Sequence, residues 1–192
     1  MVNTVGNVVS GKPLATGGLL IAPLATALPT DTTVALNAAF KGAGYIGEDG
    51  VTEATDRSTE KIKAWGGDTV KIVQSEFSVT YQFSFIEALN SDALKATYGD
   101  DNVTTTAATP TVGTLQAIKI NSKQLPHKSY VFEIRDGAAK IRIVVPDGQI
   151  TEVGEVTYND ADVVAYQVTV EAFPDASGNN AYKYMDDGRP SA

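Results

Sequence analysis

His127 is the only histidine of the chain, so a Ser-His-Asp relay would have to run through it. No Gly-x-Ser-x-Gly elbow accompanies it, and its position after Pro126, at the start of a strand-like run, is that of a surface residue. Gly42-Ala43-Gly44-Tyr45-Ile46-Gly47 has the glycine spacing of a dinucleotide fingerprint, in which the amides of a helix start cradle a pyrophosphate. Here Glu48-Asp49-Gly50 continues it as a turn, so the segment reads as strand-turn-strand. The chain has no cysteine, which excludes disulfides, thiolate nucleophiles, iron–sulfur clusters and thiolate zinc sites together. Asp100-Asp101-Asn102 and Asn159-Asp160-Ala161-Asp162 offer oxygen ligands but not the spaced calcium loop, and both read as turns. The 23 acidic residues can be paired in so many ways that none is nominated for glycoside hydrolysis. Asn102-Val103-Thr104 fits a glycosylation sequon, which has meaning only in a eukaryotic secretory pathway. No catalytic, cofactor or metal site is expected.

The chemistry that remains is contact. The only tryptophan stands in Ala64-Trp65-Gly66-Gly67-Asp68, at the return of a segment holding Glu53, Asp56, Arg57, Glu60, Lys61 and Lys63. A large aromatic between glycines, rimmed by both signs of charge, suits a contact patch anchored by the ring. A Trp capping the domain's own core beside a solvated hairpin is the equal alternative.

With 192 residues and 43% hydrophobic content, the chain reads as one packed domain spanning residues 14–173, between an N-terminal arm (1–13) and a C-terminal arm (174–192). The formal charge of −8 argues against a surface that grips phosphates or an anionic membrane. The apolar run Leu19-Leu20-Ile21-Ala22-Pro23-Leu24 before Ala25-Thr26-Ala27 superficially resembles a signal peptide. It is broken by Gly17, Gly18 and Pro23, and only Lys12 is basic upstream. No apolar run reaches the roughly 20 residues that span a bilayer.

The elements read mainly as β. A first strand is expected over Leu14 to Ala22, ended by Pro23, and then a short helix capped by Thr30-Asp31 through Phe40. Phe77, Val79, Tyr81, Phe83 and Phe85 alternate strictly with small polar residues, the period of a strand with one buried face. Upstream, Val70 and Ile72 hold the opposite parity, so the phase changes between Val73 and Phe77 and a bulge or a change of burial partner is expected. A continuous strand from Thr69 to Glu87 would have about 19 residues, several times the usual length, and suggests a barrel or a projecting hairpin. Asn90-Ser91-Asp92 caps a helix through Tyr98, ended by Gly99. Asp100 to Gly113 reads as a strand or loop. Further strands are expected over Thr114 to Ile120, His127 to Arg135, Ala139 to Val145, Ile150 to Tyr158 and Val163 to Phe173, with turns at Asp136-Gly137 and Asp147-Gly148. In the polar tail, Tyr182, Tyr184 and Met185 would anchor an arm on a neighbour or belong to a loose terminus with a short strand.

Gly44-Tyr45-Ile46-Gly47-Glu48-Asp49-Gly50-Val51 and Ser58-Thr59-Glu60-Lys61-Ile62-Lys63-Ala64-Trp65-Gly66-Gly67-Asp68, with the apolar Gly17 to Pro29 segment before them and the alternating strand after, carry a family likeness. They resemble the major tail tube protein of long-tailed (siphovirus-type) bacteriophages, particularly those of actinobacteria. The resemblance implies a β-barrel or sandwich with one flanking α-helix, Asn90 to Tyr98, and a long inter-subunit hairpin, Asp56 to Asp68. It implies no enzyme and no cofactor. Copies would form hexameric rings stacked into a tube that conducts DNA, with the tape measure protein inside and tail tip, baseplate and tail terminator proteins at the ends. The place would be the virion tail, after synthesis in the host bacterial cytoplasm, with no membrane partner. Leu19, Leu20, Ile21, Asp56, Arg57, Thr59, Glu60, Lys61, Lys63, Trp65, Asp68, Tyr182 and Tyr184 are the expected subunit contacts. Longer relatives append an immunoglobulin-like domain, which a chain ending at Ala192 is expected to lack. The alternative is a monomeric β-sandwich binding module of adhesin or carbohydrate-binding type.

Overall fold

Apolar residues two apart need a sheet with one dry face, and the chain builds one large antiparallel sheet. The computed structural model describes residues 5–14 and 17–190. Its strands and helix, numbered along the chain, are β1 (Leu19–Pro23), β2 (Lys41–Gly42), β3 (Thr52–Lys63), β4 (Thr69–Phe85), α1 (Ser91–Tyr98), β5 (Val103–Thr106), β6 (Leu115–Ile118), β7 (Lys128–Asp136), β8 (Ala139–Val153), β9 (Tyr166–Phe173) and β10 (Tyr182–Asp186). The sheet order is β2-β1-β7-β8-β9-β4-β3, with β10 also pairing β8, and β5 and β6 form a separate hairpin. Although β4 and β7 are not neighbours in this order, Tyr81 stacks on Phe132 at 5.2 Å and Phe83 meets the same ring edge-on at 5.7 Å. The sheet therefore folds back on itself into a sandwich-like body without closing into a barrel. Leu19, Phe85, Tyr130, Val145, Val168 and Val170 fill the space between.

The helix α1 closes one side of this core. Asn90 Oδ1 accepts from the amides of Asp92 (2.9 Å) and Ala93 (3.4 Å), and the Gly99 amide donates to the Lys95 carbonyl (2.9 Å) at φ +95°. Leu94 is fully buried, a burial that stabilises by about 1.5–3 kcal/mol. Tyr98 packs edge-on against Tyr166.

Two expectations are corrected. Residues 31–40 form no helix: Asp31 turns its carboxylate back onto the amides of Thr33 (2.6 Å) and Val34 (2.8 Å), and Arg142 Nη1 collects the carbonyls of Asp31 and Val34 (2.6 and 2.7 Å). Buried Arg142 is itself paired with Glu133 at 2.6 Å, so a tertiary charge outbids the helix formers Ala35, Leu36, Ala38 and Ala39. Asp147-Gly148 is no turn either, and Ala139 to Val145 and Ile150 to Tyr158 are not two separate strands, because β8 runs through without a break to Val153. Pro146 is accommodated at an irregularity opposite Ser129, whose hydroxyl donates to its carbonyl at 2.7 Å. A Cβ at Gly148 would lie 2.8 Å from the Tyr130 ring and 2.9 Å from Val170, so this glycine serves close packing.

The described parts of both chain ends are bound to the body. Pro13 bridges Ile134, Leu14 N donates to Glu133 O at 3.0 Å and Ser10 N to Asp136 at 2.9 Å. At the other end β10 pairs β8 from Tyr182↔Val144 to Asp186↔Lys140. Arg189 reaches Asn7, joining the two termini. The expected arms and the first strand, Leu14 to Ala22, also include residues 1–4, 15–16 and 191–192, which lie outside the described residues.

Candidate assembly surface

β4 has β9 as a neighbour only from Thr80 to Phe85, so outward of Val79 the β3–β4 pair is a two-stranded ribbon. From Asp56 to Trp65 it extends by about 30 Å at the usual strand rise. Ala64 N bonds Asp68 O at 2.8 Å across its tip, and Gly66 and Gly67 turn there at φ +112° and +97°. Trp65 stands at that tip with 106% relative exposure, so it caps nothing in its own chain. A ribbon without a third strand is marginally stable in water, yet this one exposes Ile62, Val70, Ile72, Val73 and Phe77 as well.

The register explains how these residues are distributed. Ser58 faces Glu76 but Thr59 faces Gln74, leaving Ser75 as an extra residue at the expected phase change. Without the bulge, Phe77 and Ile72 would point to opposite sides. With it, Tyr81, Val79, Phe77 and Ile72 lie on one face, which is the core face of the body extended into solvent. The β3 residues on the same face are Glu53, Thr55, Arg57, Thr59, Lys61 and Lys63, with Gln74 and Thr69 opposite Thr59 and Lys63. Arg57 lies 4.7 Å over the Phe77 ring and hydrogen-bonds Gln74. The reverse face of the ribbon carries Asp56, Ser58, Glu60 and Ile62 with Ser78, Glu76, Val73 and Lys71. Basic and aromatic groups are thereby concentrated on one side and most of the carboxylates on the other.

The remaining expected contact residues fall elsewhere. Leu19 and Ile21 are buried in β1, and Leu20 packs on Val131 and Val144, because β1 lies between β2 and β7. Leu19 and Ile21 are core, and Leu20 is half-buried. Tyr182 and Tyr184 also pack on that cluster with parallel rings 6.3 Å apart. The Tyr182 hydroxyl donates to Asp175 at 2.6 Å, which holds the Asp175 carboxyl below its usual range and pushes the phenol up. At the ribbon's base Lys183 pairs with Glu53 at 2.7 Å. Burial, and then the Glu53 charge, push the Tyr81 hydroxyl up, so it stays neutral in the core.

Nothing gathers for catalysis. His127 Nδ1 is 2.6 Å from Asp147 and its ring lies on Phe173, but among the described residues no Ser or Thr hydroxyl bonds to it. No group of His, Asp and Glu there is arranged to hold a metal ion, and no helix is long and apolar enough to cross a membrane.

The polar face of the body has its own character. β4 presents Ser78, Thr80, Gln82 and Ser84 there, β3 adds Thr52, Ala54 and Asp56, β9 adds Gln167, Thr169 and Glu171, and Glu152 of β8 lies beside Thr169. These positions hold three carboxylates and no lysine or arginine. Composition alone did not locate this face. The uncharged half of the β4 alternation was its only signal.

A family model described as phage tail tube protein matches residues 11–192. No curated protein matches the chain. Among solved structures, the anti-feeding prophage cap, a tube-terminating cap, is 8% identical with a TM-score of 0.48, over 97% of this chain and 100% of that one. A chain from an extracellular contractile injection system, the PVC sheath-tube complex in its extended state, is 8% identical with a TM-score of 0.39, over 96% and 99%.

Proposed function

The chain belongs to the phage tail tube protein family, a family of structural proteins and not an enzyme class, and from that premise we propose that it polymerises as stacked hexameric rings forming the conduit for phage DNA. The tail is of the long, siphovirus type, of the kind carried by actinobacterial phages. The tape measure protein fills the growing tube, a tail tip or baseplate starts it and a terminator ends it. The subunit is made in the host cytoplasm before it enters the virion.

The observation that carries the conduit reading is the polar face of β3, β4, β9 and the end of β8. A bore must let a polyanion slide, and a wall of hydroxyls, amides and carboxylates without Lys or Arg offers phosphates no counter-charge. The projecting ribbon supports the self-assembly part, since its exposed apolar residues have no partner in their own chain. Electron microscopy of tails containing this protein, or of the concentrated protein with tail tips, tests the reading. Six-fold rings of uniform bore are expected. Antibody that decorates only the capsid or only the tail tip would overturn it.

A further inference from the structure

The ribbon's two faces differ in charge, and the chain holds a surface of opposite character at its far pole. Residues 152–165 include Glu152, Glu155, Asp160 and Asp162 and no Lys or Arg. Within them Tyr158 is 75% and Val163 61% exposed. Asn159 Oδ1 accepts from the amides of Ala161 (3.0 Å) and Asp162 (2.8 Å), so the turn holds this loop's shape. Four carboxylates elsewhere are held in ion pairs: Glu53 with Lys183, Glu133 with Arg142, Asp100 with Lys128 and Asp147 with His127. Among the described residues Glu155, Asp160 and Asp162 form no ion pair.

Topology sets the two surfaces apart. β4 begins at the ribbon tip and ends at Phe85, and Phe85 pairs with Tyr166, the residue at which the acidic loop enters β9. The 17 residues of β4 therefore separate the poles by about 55 Å. A ribbon cannot fold back onto its own loop over that span, but it can reach the loop of another copy. A contact between unlike patches on identical subunits is head-to-tail, so it generates rings or open filaments and not closed pairs.

We propose that the Arg57, Lys61, Lys63, Phe77 face of one copy's ribbon seats on the Glu155 to Val163 loop of a second copy, with Tyr158 and Val163 as its apolar floor. The proposal rests on the self-assembly reading above and names the surface that receives the ribbon. Guanidinium and ammonium groups would meet three carboxylates without ion-pair partners, and the exposed apolar residues on both sides would be covered together.

The chain has no cysteine, which gives a clean test. Lys61→Cys and Asp160→Cys are made separately and together, in protein polymerised with tail tips and mildly oxidised. A mixture of the two single variants should yield disulfide-linked dimers, the double variant a ladder, and each single variant alone neither. In parallel, Lys61→Glu with Lys63→Glu should cut pelletable polymer at least about tenfold, and adding Asp160→Lys with Asp162→Lys to the same chain should restore it. Circular dichroism must match wild type for the charge variants to count, and the cysteine arm stands without them. If wild type polymerises but the mixture gives no dimers, the seat is wrong and the tube reading stands. A wild type that never polymerises with tail tips present overturns both.

Discussion

Trp65 concentrates the argument at the residue scale. Its ring touches nothing that holds its own chain folded, so Trp65→Ala is expected to leave the thermal midpoint unchanged while abolishing tube growth. Calorimetry beside electron microscopy checks both halves, and a lost cooperative transition would contradict the first. The contact role of Trp65 was one of two equal readings of its glycines and charges, and only its position at a solvent-borne tip decides against the core. Asp175 makes a different prediction. Its carboxyl is held below the usual carboxylate range because the Tyr182 hydroxyl donates to it, with the Asn179 amide second. A depressed carboxyl stabilises fully above its unfolded value, so the clamp on β10 persists through the neutral range and is lost as pH falls below about 4 toward the folded value. The protection of the Tyr182 to Asp186 amides, taken relative to their intrinsic exchange rates, should therefore fall only in acid, and Asp175→Asn should lower it already at pH 7.

The β3–β4 ribbon is the element whose design was most legible. A change of parity between Val73 and Phe77 asks for a bulge or a change of burial partner, and the structure supplies the bulge, with Ser75 as the extra residue. Deleting Ser75 leaves Phe77 and Ile72 on one face and should preserve assembly. Inserting one threonine after Ser58 gives Ser75 a partner and turns Lys61, Lys63 and Ile72 to the opposite side. That variant is expected to keep the wild-type melting temperature and fail to form tubes, as sedimentation would show. The segments 31–40 and 146–148 were not legible, for one physical reason. Local propensity reports what the backbone would do alone, whereas Arg142 with Glu133 holds the first segment as a loop and the Tyr130 ring beside Gly148 keeps the second extended.

At the scale of the whole molecule, the formal charge of −8 matters through where it sits. Glu171→Lys with Gln167→Lys would place ammonium groups on the polar face proposed as the bore. Tubes of normal length are expected, with DNA ejection slowed and the delay reduced by added salt, because screening weakens exposed charge contacts beyond about 8 Å at physiological ionic strength. Timed ejection from purified virions measures it, and unchanged rates in low salt would place that face elsewhere. By itself the sequence determined the mainly β class, the capped helix Ser91–Tyr98, the long alternating strand with its bulge and the absence of thiol chemistry, since each depends on neighbours a few residues apart. It also carried the family likeness. The tertiary structure alone decided that Leu19 and Ile21 are core, that both termini are tied to the body and that cationic groups collect on one side of the ribbon with an acidic loop at the opposite pole. Those facts depend on strand order and register, which join residues from about twenty to more than a hundred positions apart and leave no local trace.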